Sequence, residues 1–389
     1  MDWQDENRFD NRSNERVRYI KIIHEMMNLK QYDPSHRTEV LKLASNPKLF
    51  VHLCGPDPRE NPTTTLIVFV HGFPELGFSW RYQWRALSSL GYSLVSPDMR
   101  GYGETWVPEN VEDYSFKNVT EDLVYLVKAL GREKAIFIGH DFGGSVVWAM
   151  ALHHQNTCLS VIGINTPLMI VPKSKEIITA GGPIAYMKSL SPDLCGHLDY
   201  QVYFQDHGED ELNADARKTI LAYFRSQISG NRDKDKANMR LGMRTNHCRD
   251  TQPGSSKLRG VLSSCPEEIP RDPLWTEEEI EVYAKSFEKT GFPLKWYRAM
   301  DLNWNWDLEI SGKKINFPCL MISAEFDAVL TPESSRRMEE VIPGLERKQV
   351  SCGHWTMIER KNELNEILVD YLLRRFPGKQ KIFVGSSSL

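Results

Sequence analysis

One short segment constrains the fold of this chain more than any other. Ala135 to Gly139 is an apolar run, typical of a strand buried on both faces of a parallel sheet, and His140-Asp141-Phe142-Gly143-Gly144 follows it directly. The glycines permit a tight strand-to-helix turn whose middle residue, Asp141, lies in strained backbone at the carboxyl end of the strand. The segment therefore predicts an α/β fold that presents Asp141 as a nucleophile. The alternative is a glycine-rich turn in which Asp141 only caps the helix.

Further apolar runs repeat along the chain and alternate with amphipathic helical patterns. The predicted strands are Leu49–Leu53, Thr65–Val70, Tyr92–Val95, Ser160–Ile164, Cys319–Ala324 and Lys348–Cys352. The clearest helices are Asn118–Leu130, Trp275–Thr290 and Asn362–Arg375. Strands that alternate with helices predict a mostly parallel, doubly wound sheet. Between 168 and 313 the patterns are helical, without a buried-strand run, which indicates a helical insertion in one α/β domain.

This pattern predicts four parts of the chain. An α/β core comprises residues 46–167 and 314–379, and a helical cap comprises residues 168–313. Residues 1–45 form a charged extension with one amphipathic helix over Asn14–Asn28, and residues 380–389 form a tail.

Composition and charge exclude several classes of function. The chain has 389 residues, with 48 basic and 52 acidic side chains, so its net charge is −4 and no nucleic-acid partner is expected. It contains no apolar run of the roughly 18 residues that span a bilayer, and its polar start does not read as a secretory signal. We expect a cytoplasmic protein with reduced thiols. The terminal Ser387-Ser388-Leu389 is similar to the peroxisomal S-K-L signal but lacks its basic residue, so peroxisomal import is the weaker alternative.

Two more chemically active side chains follow predicted strands. Asp327 lies just past the strand Cys319–Ala324, and His354 lies just past the next strand. The carboxyl ends of parallel strands meet at one edge of a sheet, so both are expected near Asp141. The chain order of Asp141, Asp327 and His354 is that of a nucleophile, an acid and a histidine base.

Several longer motifs make the chain resemble a known family, the epoxide hydrolases of the soluble type with an α/β-hydrolase fold. The matching stretches, in the family's order, are HGFPE (71–75), DMRGYGET (98–105), GHDFGG (139–144), DYQVYFQ (199–205), WYRAM (296–300), AEFD (324–327) and CGHWT (352–356). They extend over residues 48 to 375. The first 45 residues depart from the pattern, and the phosphatase domain that precedes the hydrolase in some animal members is not seen.

The resemblance implies a covalent mechanism in two steps. Asp141 would open an epoxide by backside attack and form an ester, while Tyr200 and Tyr297 of the cap donate to the alkoxide. Water activated by His354, which Asp327 orients, would then cleave the ester.

The resemblance also implies the remaining parts of the site. The backbone N–H groups of Phe73 and Phe142 would form the oxyanion hole. Residues expected to contact the substrate are Pro74, Gln201, Trp296 and Trp355. The expected reactants are a small apolar epoxide and water, with no cofactor.

No metal is expected, since the adjacent His153 and His154 diverge on a helix and lack further ligands at metal spacing. Both are expected at the surface of the helix. Two alternatives to an epoxide hydrolase stay open: a haloalkane dehalogenase, which uses the same aspartyl ester, and a non-catalytic binding protein with this fold. The oligomeric state is left open.

Overall fold

A single mixed sheet of eight strands organises the protein. The computed structural model describes residues 29–169, 175–189, 199–226, 260–263, 265–310, 312–327 and 329–377. The strands are β1 (Arg37–Leu41), β2 (Leu49–Cys54), β3 (Leu66–Val70), β4 (Ser93–Pro97), β5 (Ala135–His140), β6 (Cys158–Ile164), β7 (Cys319–Ala324) and β8 (Leu345–Val350). Their order in the sheet is β1-β2-β4-β3-β5-β6-β7-β8. Strand β2 pairs antiparallel with both β1 and β4, and all other pairs are parallel.

Helices cover the sheet and form the insertion. The core helices are α1 (Arg81–Ser88), α2 (Phe116–Ala129), α3 (Phe142–His153), α12 (Thr356–Glu359) and α13 (Lys361–Arg375). The helices of the insertion are α4 (Lys175–Ala180), α5 (Pro183–Ser189), α6 (Asp199–Tyr203), α7 (Glu209–Asn213), α8 (Ala216–Tyr223), α9 (Glu277–Thr290), α10 (Lys295–Arg298) and α11 (Met300–Leu308). Among the described residues, no helix combines the length and apolar character that would let it cross a bilayer.

The predicted fold class, a mostly parallel α/β sheet with a helical insertion, is confirmed. Strands β3, β5, β6 and β7 lie where the apolar runs predict them. Their side chains are almost all buried, because helices pack on both faces of the sheet. In the described part of the insertion every regular element is a helix. The domain boundaries themselves stay predictions.

Two features of the sheet differ from the sequence-based assignment. Strand β1 lies inside the segment assigned to the N-terminal extension, and all five of its residues are half-buried, so it lacks the apolar run that marks a buried strand. Strand β8 spans Leu345–Val350 and is displaced from the predicted Lys348–Cys352, because Glu346 and the solvent-exposed Arg347 give the start of this edge strand no apolar signal. The predicted helix Asn14–Asn28 lies outside the described residues.

Close packing at the centre of the sheet explains the glycines that follow β5. A Cβ on Gly143 would approach the carbonyl oxygen of Val70 to 2.0 Å, and one on Gly139 would approach the carbonyl of Gly143 to 2.1 Å. Glycine at these positions therefore lets helix α3 start directly against β3 and β5. This contact fixes the position of the residue between them, Asp141.

Candidate active site

Asp141 occupies the sharp turn that the sequence predicts between β5 and α3. Its backbone has φ 51° and ψ −125°, a conformation that costs a non-glycine residue about 1–3 kcal/mol and is found mainly at functional sites. A Cβ on Gly72 would lie 2.4 Å from the Asp141 Cβ, so the loop after β3 can approach the nucleophile only as glycine. The side chain is about one-fifth exposed, and thus reachable from the cap side.

The three predicted members of the triad are brought together at the carboxyl edge of the sheet. His354 Nδ1 lies 2.7 Å from Asp327 Oδ2, and its Nε2 lies 3.7 Å from Asp141 Oδ2. Backbone N–H groups of Val329 and Leu330 donate to the other Asp327 oxygen at 2.9 and 3.0 Å. Asp327 therefore orients the imidazole so that Nε2 faces the nucleophile.

Electrostatics at the triad depend on burial and on the three charges. Burial disfavours ionisation of Asp327, but the charge and hydrogen bond of His354 outweigh it and hold the pKa of that carboxyl well below its usual range. Burial also disfavours the imidazolium, yet Asp327 and then Asp141 raise the pKa of His354 to about 9. For Asp141, burial dominates and raises the pKa despite the nearby His354. The Asp327–His354 pair is thus charged at neutral pH, and its imidazolium favours the Asp141 carboxylate.

One of the two predicted oxyanion-hole donors already contacts the nucleophile. Phe73 N–H donates to Asp141 Oδ1 at 2.9 Å. Phe142 is the first residue of α3 and follows Asp141 directly, so its N–H belongs to the orphan amides of a helix start. Its contribution to the oxyanion hole stays a prediction.

Both cap tyrosines lie over this edge of the sheet. The rings of Tyr200, on α6, and Tyr297, on α10, meet edge-on with centroids 5.7 Å apart. The centroid of the Tyr297 ring lies 4.8 Å from that of Phe142 and 5.2 Å from that of Phe73. It therefore packs on the residue that follows Asp141 and on the residue whose N–H donates to Asp141. Burial, then Tyr200 and Asp141, hold the pKa of Tyr297 well above its ordinary value. Its hydroxyl therefore keeps its proton at neutral pH and can donate it.

The four residues predicted to contact the substrate have different partners in the structure. Gln201 donates from Nε2 to the Tyr200 hydroxyl at 3.2 Å. The indole N–H of Trp355 donates to Tyr223 O, and that of Trp296 donates to Arg100 O, which ties both rings to backbone. Pro74 is buried in the loop after β3. Contact of these residues with a substrate stays a prediction.

A cavity of about 370 Å³ adjoins the site between the cap and helix α3. It meets the site at Phe142 and Gln201, whereas the triad and both tyrosines lie beside it and do not line it. Its walls are mainly apolar; examples are Trp148, Leu152, Met187 and Met300. A cavity of this size and character can hold the apolar arm of a ligand whose reactive group lies at Asp141.

A buried pair next to the triad was missed by the sequence analysis. Glu75 Oε1 accepts from Gly72 N–H at 3.0 Å and lies 2.7 Å from His140 Nδ1. The other ring nitrogen of His140 lies 2.8 Å from the carbonyl oxygen of His354, which can only accept, so His140 Nε2 carries a proton. Both side chains are fully buried. They hold the His354 backbone in place. Glu75 belongs to the HGFPE motif and His140 to the GHDFGG motif, but only other residues of these motifs were predicted to act in the site.

Three further residues near the site also escaped prediction. Asn165 and Thr166 follow β6 and contact the triad, and Gln205 follows α6 and contacts the segment that carries Tyr297. Asn165 and Thr166 carried no chemical signal in the local sequence, because an amide or hydroxyl after a strand is common in turns. Gln205 ends the DYQVYFQ motif, but the motif alone does not show which of its residues acts in the site.

Metal ligands are not grouped in the described part of the chain, where no three His, Cys, Asp or Glu side chains lie close enough to hold an ion. His153, expected on the surface, instead pairs with Asp307 at 2.9 Å and stacks on Trp306, because helix α3 packs under the insertion there. His154 lies 3.1 Å from the hydroxyl of Thr120.

Similarity to known proteins agrees with this geometry. Residues 65–187 match the family described as alpha/beta hydrolase fold. The chain is 38% identical over 311 residues to bifunctional epoxide hydrolase 2 of Rattus norvegicus, covering 79% of this chain and 51% of that protein. It is 34% identical over 318 residues to epoxide hydrolase A of Mycobacterium tuberculosis, covering 80% of this chain and 91% of that protein.

A solved structure gives the same answer over most of the chain. The crystal structure of epoxide hydrolase A from Mycobacterium thermoresistibile superposes with a TM-score of 0.69 and 31% identity, covering 87% of this chain and 98% of that one. The chain spans about half the length of the mammalian relatives it matches, but nearly the full length of the mycobacterial ones. It belongs to the epoxide hydrolase family of the α/β-hydrolase fold.

Proposed function

We propose that this protein hydrolyses apolar epoxides to vicinal diols through a covalent ester on Asp141. One observation carries the proposal: two cap tyrosines converge above a strained aspartate that faces a histidine base. An aspartyl nucleophile alone is compatible with several classes of substrate. Paired hydroxyl donors opposite it suit a leaving group that is an alkoxide still attached to the substrate.

The first step forms the ester. A carboxylate oxygen of Asp141 attacks one epoxide carbon, and the C–O bond to the ring oxygen breaks. The ring oxygen leaves as an alkoxide and takes a proton through Tyr200 and Tyr297, whose raised pKa in the case of Tyr297 keeps the donor protonated beforehand. The Phe73 N–H holds the carboxylate in place for this attack.

The second step cleaves the ester. Water attacks the Asp141 carboxyl carbon and gives its proton to His354 Nε2, while Asp327 stabilises the imidazolium. Phe73 N–H, with Phe142 N–H, stabilises the tetrahedral oxyanion by about 3–4 kcal/mol per donor in related chemistry. The intermediate collapses, the bond from the carboxyl carbon to the alkyl oxygen breaks, and that oxygen takes the proton of the new Asp141 carboxyl group as the diol leaves. Asp141 is then again a carboxylate and His354 again an imidazolium, so the enzyme ends in its starting state.

Ester formation also prepares His354 for its second role. In the resting site the Asp141 charge helps to raise the pKa of His354, which favours the imidazolium. Once Asp141 is esterified that charge is gone, so the pKa of His354 falls. The imidazolium then gives up its proton, which restores the tyrosine that protonated the alkoxide, and His354 becomes a neutral base. The same charge change thus couples the two steps.

An apolar epoxide is the substrate that the surroundings favour. The cavity of about 370 Å³ beside Phe142 and Gln201 is mainly apolar and can receive one arm of the substrate. We propose the cytoplasm as the place of action.

The decisive experiment is to trap the ester. Wild-type protein incubated with styrene oxide should release the diol. His354→Gln should still open the epoxide but fail to hydrolyse the ester, so intact-protein mass spectrometry should show an adduct of substrate mass on the peptide with Asp141. Asp141→Ala, the matched control, should show no adduct.

Two other results would redirect the assignment. Adduct formation with a haloalkane and release of halide, with no reaction on epoxides, would indicate a dehalogenase. No adduct and no turnover with either class of substrate would indicate a binding protein.

A further inference from the structure

We infer that Asn165 and Thr166, the two residues that follow β6, act as one positioning unit that holds all three members of the triad. The inference deepens the proposed function and rests on it for its kinetic consequences. Asn165 contacts Asp327 and the backbone of His354, and Thr166 contacts the backbone of Asp141. Neither residue touches the reacting atoms, so each would act through the residue that it holds.

The Asn165 carboxamide is fully used and fully buried. Its Nδ2 donates to Asp327 Oδ2 at 2.8 Å and to the His354 carbonyl oxygen at 3.0 Å. Its Oδ1 accepts from the Thr356 hydroxyl at 2.7 Å, which fixes the amide's orientation. Asp327 Oδ2 is the same oxygen that lies 2.7 Å from His354 Nδ1. One side chain thereby sets the distance between acid and base.

The backbone of Asn165 is shaped for this contact. Its φ of 62° lies in the left-handed region, which asparagine tolerates better than most residues, and its N–H donates to the carbonyl of Ile322 at 2.8 Å. That bond continues the pairing of β6 with β7, the strand that leads to Asp327. The turn thus directs the amide inward from a rigid anchor, and a strained residue held this firmly is typical of functional sites.

Thr166 holds the other end of the site. Its hydroxyl donates to the Asp141 carbonyl oxygen at 2.7 Å, in addition to the helical bond from Ser145 N–H at 3.2 Å. A Cβ on Gly144 would lie 2.6 Å from the Thr166 Cβ, so glycine in the elbow is what admits this hydroxyl. The bond stabilises the strained backbone of Asp141 and therefore the direction of its carboxylate.

The two contacts should act on different half-reactions. Losing the Asn165 amide disturbs the Asp327–His354 pair, which is needed to activate water, so ester hydrolysis should suffer more than ester formation. Losing the Thr166 hydroxyl disturbs the direction of attack by Asp141, so ester formation should slow. A merely structural role would lower both rates together with stability.

The Asn165 amide should also affect the titration of His354. The charged or titratable groups that face this imidazole are Asp327, Asp141, Glu75 and His140. Asn165 donates to the Asp327 oxygen that stabilises the imidazolium, and so competes for its negative charge. Removing the amide leaves more of that charge to His354. The pKa of His354 should therefore rise, and the acidic limb of ester hydrolysis should move to higher pH.

The test compares four variants with the wild type, using styrene oxide. Asn165→Gly keeps the left-handed backbone and deletes the amide, and Asn165→Asp keeps the size but replaces the donor with an acceptor. Thr166→Val deletes the hydroxyl at constant shape, and Thr166→Ser restores it. Rapid-quench mass spectrometry measures ester formation and decay, and NMR of ¹³C-labelled histidine measures the His354 titration without substrate. Thermal unfolding checks that each variant is folded.

We expect both Asn165 variants to slow ester hydrolysis about 10–100-fold, the range for losing a hydrogen bond to a charged group, with a much smaller effect on ester formation. Asn165→Gly should raise the pKa of His354. Thr166→Val should slow ester formation about tenfold with the His354 titration unchanged, and Thr166→Ser should recover most of the rate.

Three results would overturn the inference. One is an unchanged His354 titration and unchanged hydrolysis in a folded Asn165→Gly. Another is an equal loss of both half-reactions that follows a lowered unfolding temperature. The third is a wild-type rate of ester formation in Thr166→Val. If the wild type forms no ester, the proposed function fails, while the substrate-free titration still decides whether Asn165 controls His354.

Discussion

Among single residues, His354 must change its charge twice in the proposed mechanism, once after ester formation and once when it activates water. Three carboxylates, Asp327, Asp141 and Glu75, favour its imidazolium and hold its pKa at about 9 despite burial. A base for water must be neutral, so the resting site is not yet the hydrolytic one. In the proposed mechanism, the trigger for this change is the neutralisation of Asp141 by esterification.

This trigger predicts a titration that can be measured. Asp141→Asn imitates the uncharged ester and removes one of the charges that raise the pKa of His354 to about 9, so His354 in this variant should titrate clearly below its wild-type pKa. Correspondingly, in the wild type the ester should be hydrolysed faster as pH rises through the lower pKa that His354 has once Asp141 is esterified. The reason is that only the neutral imidazole accepts the proton from water. NMR of ¹³C-labelled histidine provides the measurement, with His354→Gln to assign the signal. A titration that stays at about 9 in Asp141→Asn would remove the link between the two steps.

The hydroxyl groups of the two cap tyrosines should be needed for ester formation. Tyr200→Phe and Tyr297→Phe each keep the ring packing and delete one hydroxyl, so each should slow ester formation about 10²-fold, within the usual contribution of a general acid. The double variant should lose nearly all alkylation, since the alkoxide then has neither donor. Pre-steady-state formation of the ester measures this. Wild-type alkylation in the double variant would reduce both tyrosines to packing residues.

Between elements, the position of the two tyrosines depends on how their helices are joined. Gln205, just after α6, donates from one Nε2 atom to Gln201 O and to Tyr297 O, both at 3.0 Å. It therefore ties the helix that carries Tyr200 to the one that carries Tyr297. The 5.7 Å spacing of the tyrosine rings is a property of this junction and of the aromatic packing around it.

Removing the junction should loosen both donors at once. Gln205→Leu deletes two hydrogen bonds worth about 1 kcal/mol each. The rate constant for ester formation should therefore fall about tenfold, while that for ester hydrolysis changes little. The control is Gln155→Leu, which removes a similar amide-to-carbonyl bond, to Lys314 O, at an exposed place away from the site. An equal effect of the two variants, or a loss confined to ester hydrolysis, would show that Gln205 does not set the tyrosines.

In the molecule as a whole, a buried ion pair fastens the insertion to the core. Arg81 Nε of α1 donates to Glu279 Oε1 of α9 at 2.7 Å, and both side chains are fully buried. Tyr82 and Tyr32 also donate to Glu279 Oε1, at 2.7 and 2.9 Å. The α/β core, the insertion and the segment before β1, which contains Tyr32, thus contact the same carboxylate. Arg81 balances its negative charge.

Removing one partner of this ion pair should lower the free energy of unfolding far more than replacing both partners with apolar residues. Arg81→Met leaves Glu279 charged and buried without its main partner, so the free energy of unfolding should fall by about 3–5 kcal/mol. The double change Arg81→Met, Glu279→Leu removes both charges and should recover much of that loss. Urea unfolding measures all three proteins. A double variant less stable than Arg81→Met would mean that Glu279 stabilises the protein through its other contacts, such as the hydroxyls of Tyr32 and Tyr82, and does not merely compensate Arg81.

Local signals in the amino-acid sequence were enough to predict several parts of this protein. An apolar run marks a strand buried on both faces, and glycines beside Asp141 mark an elbow, because sterics act between neighbouring residues. The order of Asp141, Asp327 and His354 then follows from the strands that they end. Residues 71–75 and 139–144 likewise identified the loops that meet at the nucleophile.

The other side chains that complete the site are identified by contacts between residues far apart in the chain. Glu75 and His140 are 65 residues apart, and Asn165 and Asp327 are 162 apart, yet each pair is within hydrogen-bond distance. Such pairs leave no local pattern, since an amide or imidazole in a turn looks the same whether it faces solvent or a triad. Strand β1 was missed for the related reason that an edge strand is held by its partner's hydrogen bonds, and not by an apolar run of its own.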